Sequence, residues 1–330
     1  MDFDLNDEQK QIKQVAHDLL SARSPWAKVR EAAEAGRYEP SLWSELVELG
    51  WPGIAVSSEH GGQGLGAVEL VVLLEELGYA CAATPFLSTA TAAAVIDATG
   101  TDKQRARWLP GLASGELTAG IGTRELAADA EEGAVIVLLD GDDAILVDAA
   151  QADIEPLVSI DATRRFATVA GEGETLGSGA ADRVRVALSS ELVGVCQRAL
   201  DMTLEYVKDR KQFGVPVGSF QAVAHRCAQM LLYTESGRSA TYFAAWAVDA
   251  DPERLPEAAA LAAAATADGG REVTGSAIQA HGGIGFTWEA DVHWLYKRAQ
   301  LDRALLGGAQ RHRAALARHG TARISGVAAG

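Results

Sequence analysis

The chain has 330 residues, a hydrophobic fraction of 48% and a formal charge of −16. That length exceeds one small core and implies two or three domains, and the acidic balance argues against nucleic acid or an anionic membrane as a general partner. No apolar run reaches the ~18 residues of a membrane helix. The acidic start, Met1 to Gln11, is unlike a signal peptide, and three scattered cysteines (Cys81, Cys196, Cys227) fit a reducing cytoplasm better than a disulfide framework.

Residues 1–117 read as helical. Glu8 to Leu20, Leu42 to Leu49 and Val68 to Leu77 carry apolar residues at three- and four-residue spacings. Thr101 with Gln104 forms a capping-box pattern opening a helix that runs to Trp108. Gly61-Gly-Gln-Gly-Leu-Gly66 reads as a loop, because its spacing departs from G-x-G-x-x-G and no strand leads into it.

Residues 118–178 change texture. Ala134 to Leu139 and Ala144 to Val147 are apolar runs parted by Asp140-Gly-Asp-Asp143, a strand, turn, strand signature, and Arg165 to Val169 is a third strand. From 179 to 330 the chain is helical again. Leu188, Leu192, Val195, Ala199, Met202 and Tyr206 define one long amphipathic helix. Phe220 to Val248, Pro256 to Ala280 and Tyr296 to His319 give three more, which together predict a four-helix bundle.

Two segments interrupt this pattern. Arg210-Lys-Gln-Phe-Gly-Val-Pro-Val-Gly-Ser-Phe-Gln221 contains Gly214, Pro216 and Gly218, which force a turn between two helices. A turn presenting Arg210 beside Gln221 suits a phosphate or a flavin edge; a plain helix connection is the other reading. Gln279-Ala-His-Gly-Gly-Ile-Gly-Phe286 ends a helix in a glycine pair, which either admits a flat ligand close to the backbone or simply caps the helix. His281 and His293, with Glu289 and Asp291 between them, match no metal-ligand spacing, and no nucleophile elbow or P-loop is present.

Together these segments resemble the acyl-CoA dehydrogenase family. Leu49-Gly-Trp-Pro-Gly-Ile-Ala-Val56, Gly61 to Gly66 and Glu75-Glu-Leu-Gly78 are similar to its N-terminal domain, and Arg210–Gln221 and Gln279–Phe286 to its C-terminal signatures, in the family's order. The resemblance implies a mainly α fold: an N-terminal helical domain (1–117), a small, truncated β domain (118–178) and a C-terminal four-helix bundle (179–330). It implies FAD as cofactor, an acyl-CoA substrate, α,β-dehydrogenation with a carboxylate as base, and an electron-transfer flavoprotein or similar acceptor. It also implies flavin contacts across a subunit interface from Arg210, Gln212, Phe213, Gln221, Gln279, Gly282 and Gly283. Asp182 and Arg185 align with a pair near the CoA thioester.

Two departures stand out against that resemblance. A Tyr-Glu-Gly-Thr-like tetrad usually carries the basic glutamate; here Leu305-Leu-Gly-Gly-Ala-Gln310 puts Gly307 at the base, and Val184 occupies the alternative position on the long helix. Neither side chain accepts a proton. The β domain also loses the glycine-serine-aspartate end of one flavin-ring segment after Ile121-Gly-Thr-Arg-Glu-Leu-Ala-Ala128, and lacks a second. The expectation is a heteromer, α₂β₂ with a second acyl-CoA dehydrogenase-like subunit supplying the base. The short subunits of actinobacterial steroid side-chain dehydrogenases have this pattern, which points to a steroid-CoA. Two alternatives stay open: a self-sufficient flavoenzyme using Asp302 as base, and a non-catalytic helical scaffold.

Overall fold

The computed structural model describes residues 4–328. Six helices come first: α1 (Asp7–Arg23), α2 (Trp26–Ala35), α3 (Pro40–Glu48), α4 (Ala67–Ala80), α5 (Phe86–Thr99) and α6 (Asp102–Ser114). Thr101 and Gln104 cap each other's backbone N–H groups at the start of α6, as the sequence pattern predicts, and Asn6 and Gln9 do the same for α1, which the sequence reading did not anticipate. Helix α5 was not visible as a periodic pattern. It is buried along most of its length, so it needs no polar face.

The sheet follows: β1 (Ala119–Gly122), β2 (Ala127–Ala128), β3 (Val135–Asp140), β4 (Asp143–Asp148), β5 (Asp153–Leu157), β6 (Phe166–Ala170) and β7 (Glu174–Thr175). Its order is β5-β6-β2-β1-β3-β4-β7, with β1 and β3 parallel and every other pair antiparallel. Strands β3 and β4 form the expected hairpin, turned by Gly141 at φ 66°.

The C-terminal part holds α7 (Ala180–Asp209), α8 (Gln221–Ala250), α9 (Leu255–His281), α10 (Val292–Leu305) and α11 (Ala309–Ala328). The stretch Tyr296 to His319, predicted as one helix, is two. Gly307 and Gly308 take left-handed φ angles of 75° and 74°, which end α10 and let the chain restart as α11. Helix α7 crosses α4 so closely that glycine is needed on both. A Cβ on Gly194 would lie 1.8 Å from the Glu75 carbonyl oxygen, and one on Gly78 would lie 2.1 Å from that of Glu191. This contact fixes the N-terminal domain against the bundle. Among the described residues no helix is long and apolar enough to cross a membrane.

Candidate functional site

The turn after α7 is a small hairpin, β8 (Lys211–Gln212) paired with β9 (Val215–Pro216). Phe213 and Gly214 form its two-residue tip at φ 52° and 83°, the pairing a type I′ turn requires. A phenylalanine at positive φ is strained, and strain of this kind collects at functional segments. Phe213 is 93% exposed and meets Phe220 edge to face, their centroids 6.3 Å apart. Arg210 is exposed at the end of α7, where its carbonyl accepts from Val217 N–H at 2.8 Å, and Gln221 is exposed at the first turn of α8. Gln212 is exposed too, its amide donating only to the neighbouring Lys211 carbonyl.

At the end of α9, Gln279, Gly282 and Gly283 are also exposed. Gly282 sits at φ 68°, and a Cβ added to either glycine would meet nothing within 4 Å. The backbone there is open to a flat partner. Tyr206 of α7 stacks on His281 of α9, with centroids 4.4 Å apart and planes 22° apart, and so ties the two segments together. Burial lowers the His281 pKa and keeps the ring neutral, with Nδ1 against the Ala277 carbonyl at 2.7 Å. All seven positions expected to touch a flavin therefore lie on the surface of this chain.

The positions expected for a base look different. Val184 is fully buried on α7. Laying the tetrad's own glycine on Gly307, which has the left-handed φ only glycine takes freely, puts Leu306 in the glutamate's place. Leu306 is 3% exposed and carries no proton acceptor either. The nearest acid on α10 is Asp302, one turn earlier, and it belongs to a closed ionic cluster. Arg164 donates to Asp302 at 2.7 Å and also to Glu191. Arg298 donates to Asp161 at 2.7 Å, to Glu191 at 2.8 Å and to the Thr163 hydroxyl. Every one of these side chains is at most 3% exposed.

The charges in that cluster balance. Burial alone would raise the Asp161 and Glu191 carboxyls, but the two guanidiniums outweigh it and hold both below the usual range. Burial, with the Glu191 charge beside it, pushes Asp302 well above the usual range instead. Its Oδ2 meets no nitrogen donor and lies against Glu191, so a proton on Asp302 gives that oxygen its partner. Two arginines, two carboxylates and one neutral acid fill the space. Sequence reading missed this cluster because the Asp161–Arg164 loop, Glu191 on α7 and Arg298 on α10 are far apart in the chain, with no shared spacing.

Asp182 and Arg185 are buried at the start of α7 and pair with each other at 2.7 Å. Arg185 also donates to the Gly141 carbonyl at 2.8 Å, and Arg311 reaches the same oxygen. In the single chain this pair braces the β3–β4 turn against the bundle.

Comparison with known proteins fits this geometry. Residues 6–116 match the acyl-CoA dehydrogenase N-terminal domain, and residues 171–321 match the acyl-CoA dehydrogenase C-terminal domain. The two matches leave out residues 117–170, which hold most of the sheet. The chain is 34% identical over 312 residues to acyl-CoA dehydrogenase IpdE2 of Mycolicibacterium smegmatis, covering 92% of this chain and 96% of that one. It is 33% identical over 306 residues to acyl-CoA dehydrogenase FadE34 of Mycobacterium tuberculosis, covering 85% of this chain but 42% of FadE34. Among solved structures, the Tcur3481-Tcur3483 steroid ACAD G363A variant superposes with a TM-score of 0.86 at 27% identity, over 98% of this chain and 99% of that one. A chain of the ChsE4-ChsE5 complex from Mycobacterium tuberculosis shares the fold, with a TM-score of 0.85 at 24% identity over 96% and 98% of the two chains.

Proposed function

The chain belongs to the acyl-CoA dehydrogenase family, and from that premise we propose that it is one half of a mixed α₂β₂ dehydrogenase. The cofactor is FAD, which accepts hydride when bound. This chain supplies Arg210, Gln212, Phe213, Gln221, Gln279 and the Gly282–Gly283 backbone to an FAD seated mainly in a partner subunit. The partner, a second acyl-CoA dehydrogenase-like chain, supplies the base and the pocket for the flavin ring. Exposed Arg210 suits a pyrophosphate or ring oxygen, since guanidinium donors form charge-assisted bonds to such groups. The open double glycine lets backbone N–H groups approach the cofactor closely.

One observation carries this reading: the flavin-facing residues point out of the chain while the base positions hold Val184, Leu306 and Gly307. Exposed Phe213 and Phe286, at 93% and 79%, lie within the two flavin-contact segments and favour burial against another subunit. The reaction is α,β-dehydrogenation of an acyl-CoA with an electron-transfer flavoprotein as acceptor, in a cytoplasmic, lipid-degrading setting. The superposable steroid dehydrogenase supports a steroid-CoA as the substrate. Asp302 as a base in this chain is disfavoured, because a buried acid held by Arg164 and Glu191 meets no substrate.

The test is co-expression and co-purification of this chain with candidate acyl-CoA dehydrogenase-like subunits from the same source. Arg210→Ala and Gln221→Ala should each lower flavin retention by the complex. Unchanged flavin content in both removes these residues from the site.

A further inference from the structure

A pocket of about 450 Å³ lies between α4, α5 and the first turns of α7, under the Gly61–Gly66 loop. Its walls are mixed, with an apolar part built from Leu65, Leu70, Val71, Leu74, Val95 and Val186. That volume suits a small organic molecule. Val184, Leu306, Gly307 and the seven flavin-contact positions are not among its lining residues.

Thr91 in the wall lacks a partner, and Arg183 is weakly partnered. Thr91 is 1% exposed, and its hydroxyl makes no hydrogen bond. Thr99, Thr203, Thr234, Thr241, Thr266 and Thr274 all satisfy the same need by donating to the carbonyl four residues back; Thr91 does not. Arg183 makes one weak bond, to the Gly179 carbonyl at 3.3 Å, and no ion pair among the described residues. Burial lowers its pKa, and the nearby Asp249 offsets this only in part. Two acids also line the pocket, and Asp249 attracts Arg183 without forming an ion pair with it. Asp97 accepts from the N–H and hydroxyl of Ser57, both at 3.1 Å, and Asp249 accepts from Ala67 N–H at 2.8 Å.

We propose that this pocket binds an amphipathic carboxylate. Its apolar body lies on α4 and α5, its carboxylate meets Arg183, and the Thr91 hydroxyl turns from the wall to donate to it. The class is a medium-size fatty or alicyclic acid. This inference does not depend on the heteromer reading.

The experiment is calorimetric titration of this purified chain, alone or with whatever subunit co-purifies, with decanoate, and with decan-1-ol as the uncharged match. Decanoate should bind saturably at one per copy of this chain, and decan-1-ol ~10-fold or more weaker, the factor a lost charge-assisted bond gives. Arg183→Met should weaken decanoate by a similar factor, Thr91→Val by several-fold, and Ala94→Trp should fill the pocket. Circular dichroism and melting temperature report whether each variant is folded. Absence of saturable binding, equal binding of acid and alcohol, or affinity untouched in both Arg183→Met and Thr91→Val overturns the proposal.

Discussion

Tyr206 stacks on His281 across the ends of two long helices, 4.4 Å between ring centroids. The contact is internal to this chain, yet it sets the spacing of two segments that face outward. Arg210 is one turn beyond Tyr206, and Gly282 follows His281 directly. Replacing Tyr206 with Ala should cost about 0.5–1.5 kcal/mol beyond lost burial, the usual worth of an aromatic pair. The informative readout is flavin retention in the complex, which should fall while the far-ultraviolet circular dichroism stays helical. Retention equal to wild type would uncouple this stack from the site.

Asp302→Asn separates two roles for that residue. A base loses activity when it becomes an amide. A neutral, buried acid is close in shape and bonding to Asn, which still accepts from Arg164 and donates to Glu191. The account therefore predicts dehydrogenase activity of the complex within about twofold of wild type, since the change removes no proton acceptor the reaction uses.

The same substitution has a signed pH effect. Asp302 holds its proton more tightly when folded than when unfolded. Wild-type stability from this group is therefore present below the unfolded value of about 4 and lost as pH rises toward the folded value. Asn pays no such penalty, so the variant should melt at an equal or higher temperature at pH 7, with the gap closing as pH falls toward about 4. Glu191 and Asp161 run the other way: their pKa values are lowered, so their stabilisation is full above the unfolded value and lost on acidification. A variant less stable than wild type at pH 7 would mean that Asp302 is ionised in the fold.

Arg298→Met should be far more damaging. It leaves Asp161 and Glu191 buried with one guanidinium, Arg164, near them in place of two. Breaking a buried pair this way typically costs about 3–5 kcal/mol. Chemical denaturation of the purified complex measures it; a loss under about 1 kcal/mol would show that the cluster is solvated.

Gly194→Ala tests the domain contact. Its Cβ has no room against the Glu75 carbonyl, so α7 and α4 must separate. A loss of about 1–3 kcal/mol is expected from overpacking, read as a lower melting temperature. An unchanged melting temperature would mean that the crossing relaxes freely.

Much of this was legible in the sequence where a signal is local. Capping residues placed α6, the Asp140–Asp143 turn placed the β3–β4 hairpin, and the apolar period of Leu188 to Tyr206 placed α7. Helix α5 escaped because a helix buried on all faces has no period to read. The break after α10 is hidden because Leu305-Leu-Gly-Gly sits where the family's tetrad falls, and only the fold shows two left-handed glycines there. Arg210 and Gln221 were found from composition, but their exposure is a property of the fold. The Arg164–Glu191–Arg298 cluster escaped entirely, since Glu191 meets Arg298 only when α7 packs on α10, and Arg164 joins them only from the β5–β6 loop.

The most direct measurement is the flavin absorbance of this chain, purified alone and with its partner, together with acyl-CoA oxidation by each. The account predicts a colourless, inactive chain alone, and one FAD per pair of this chain and partner in an active complex. A lone chain that retains stoichiometric FAD and oxidises acyl-CoA would contradict it.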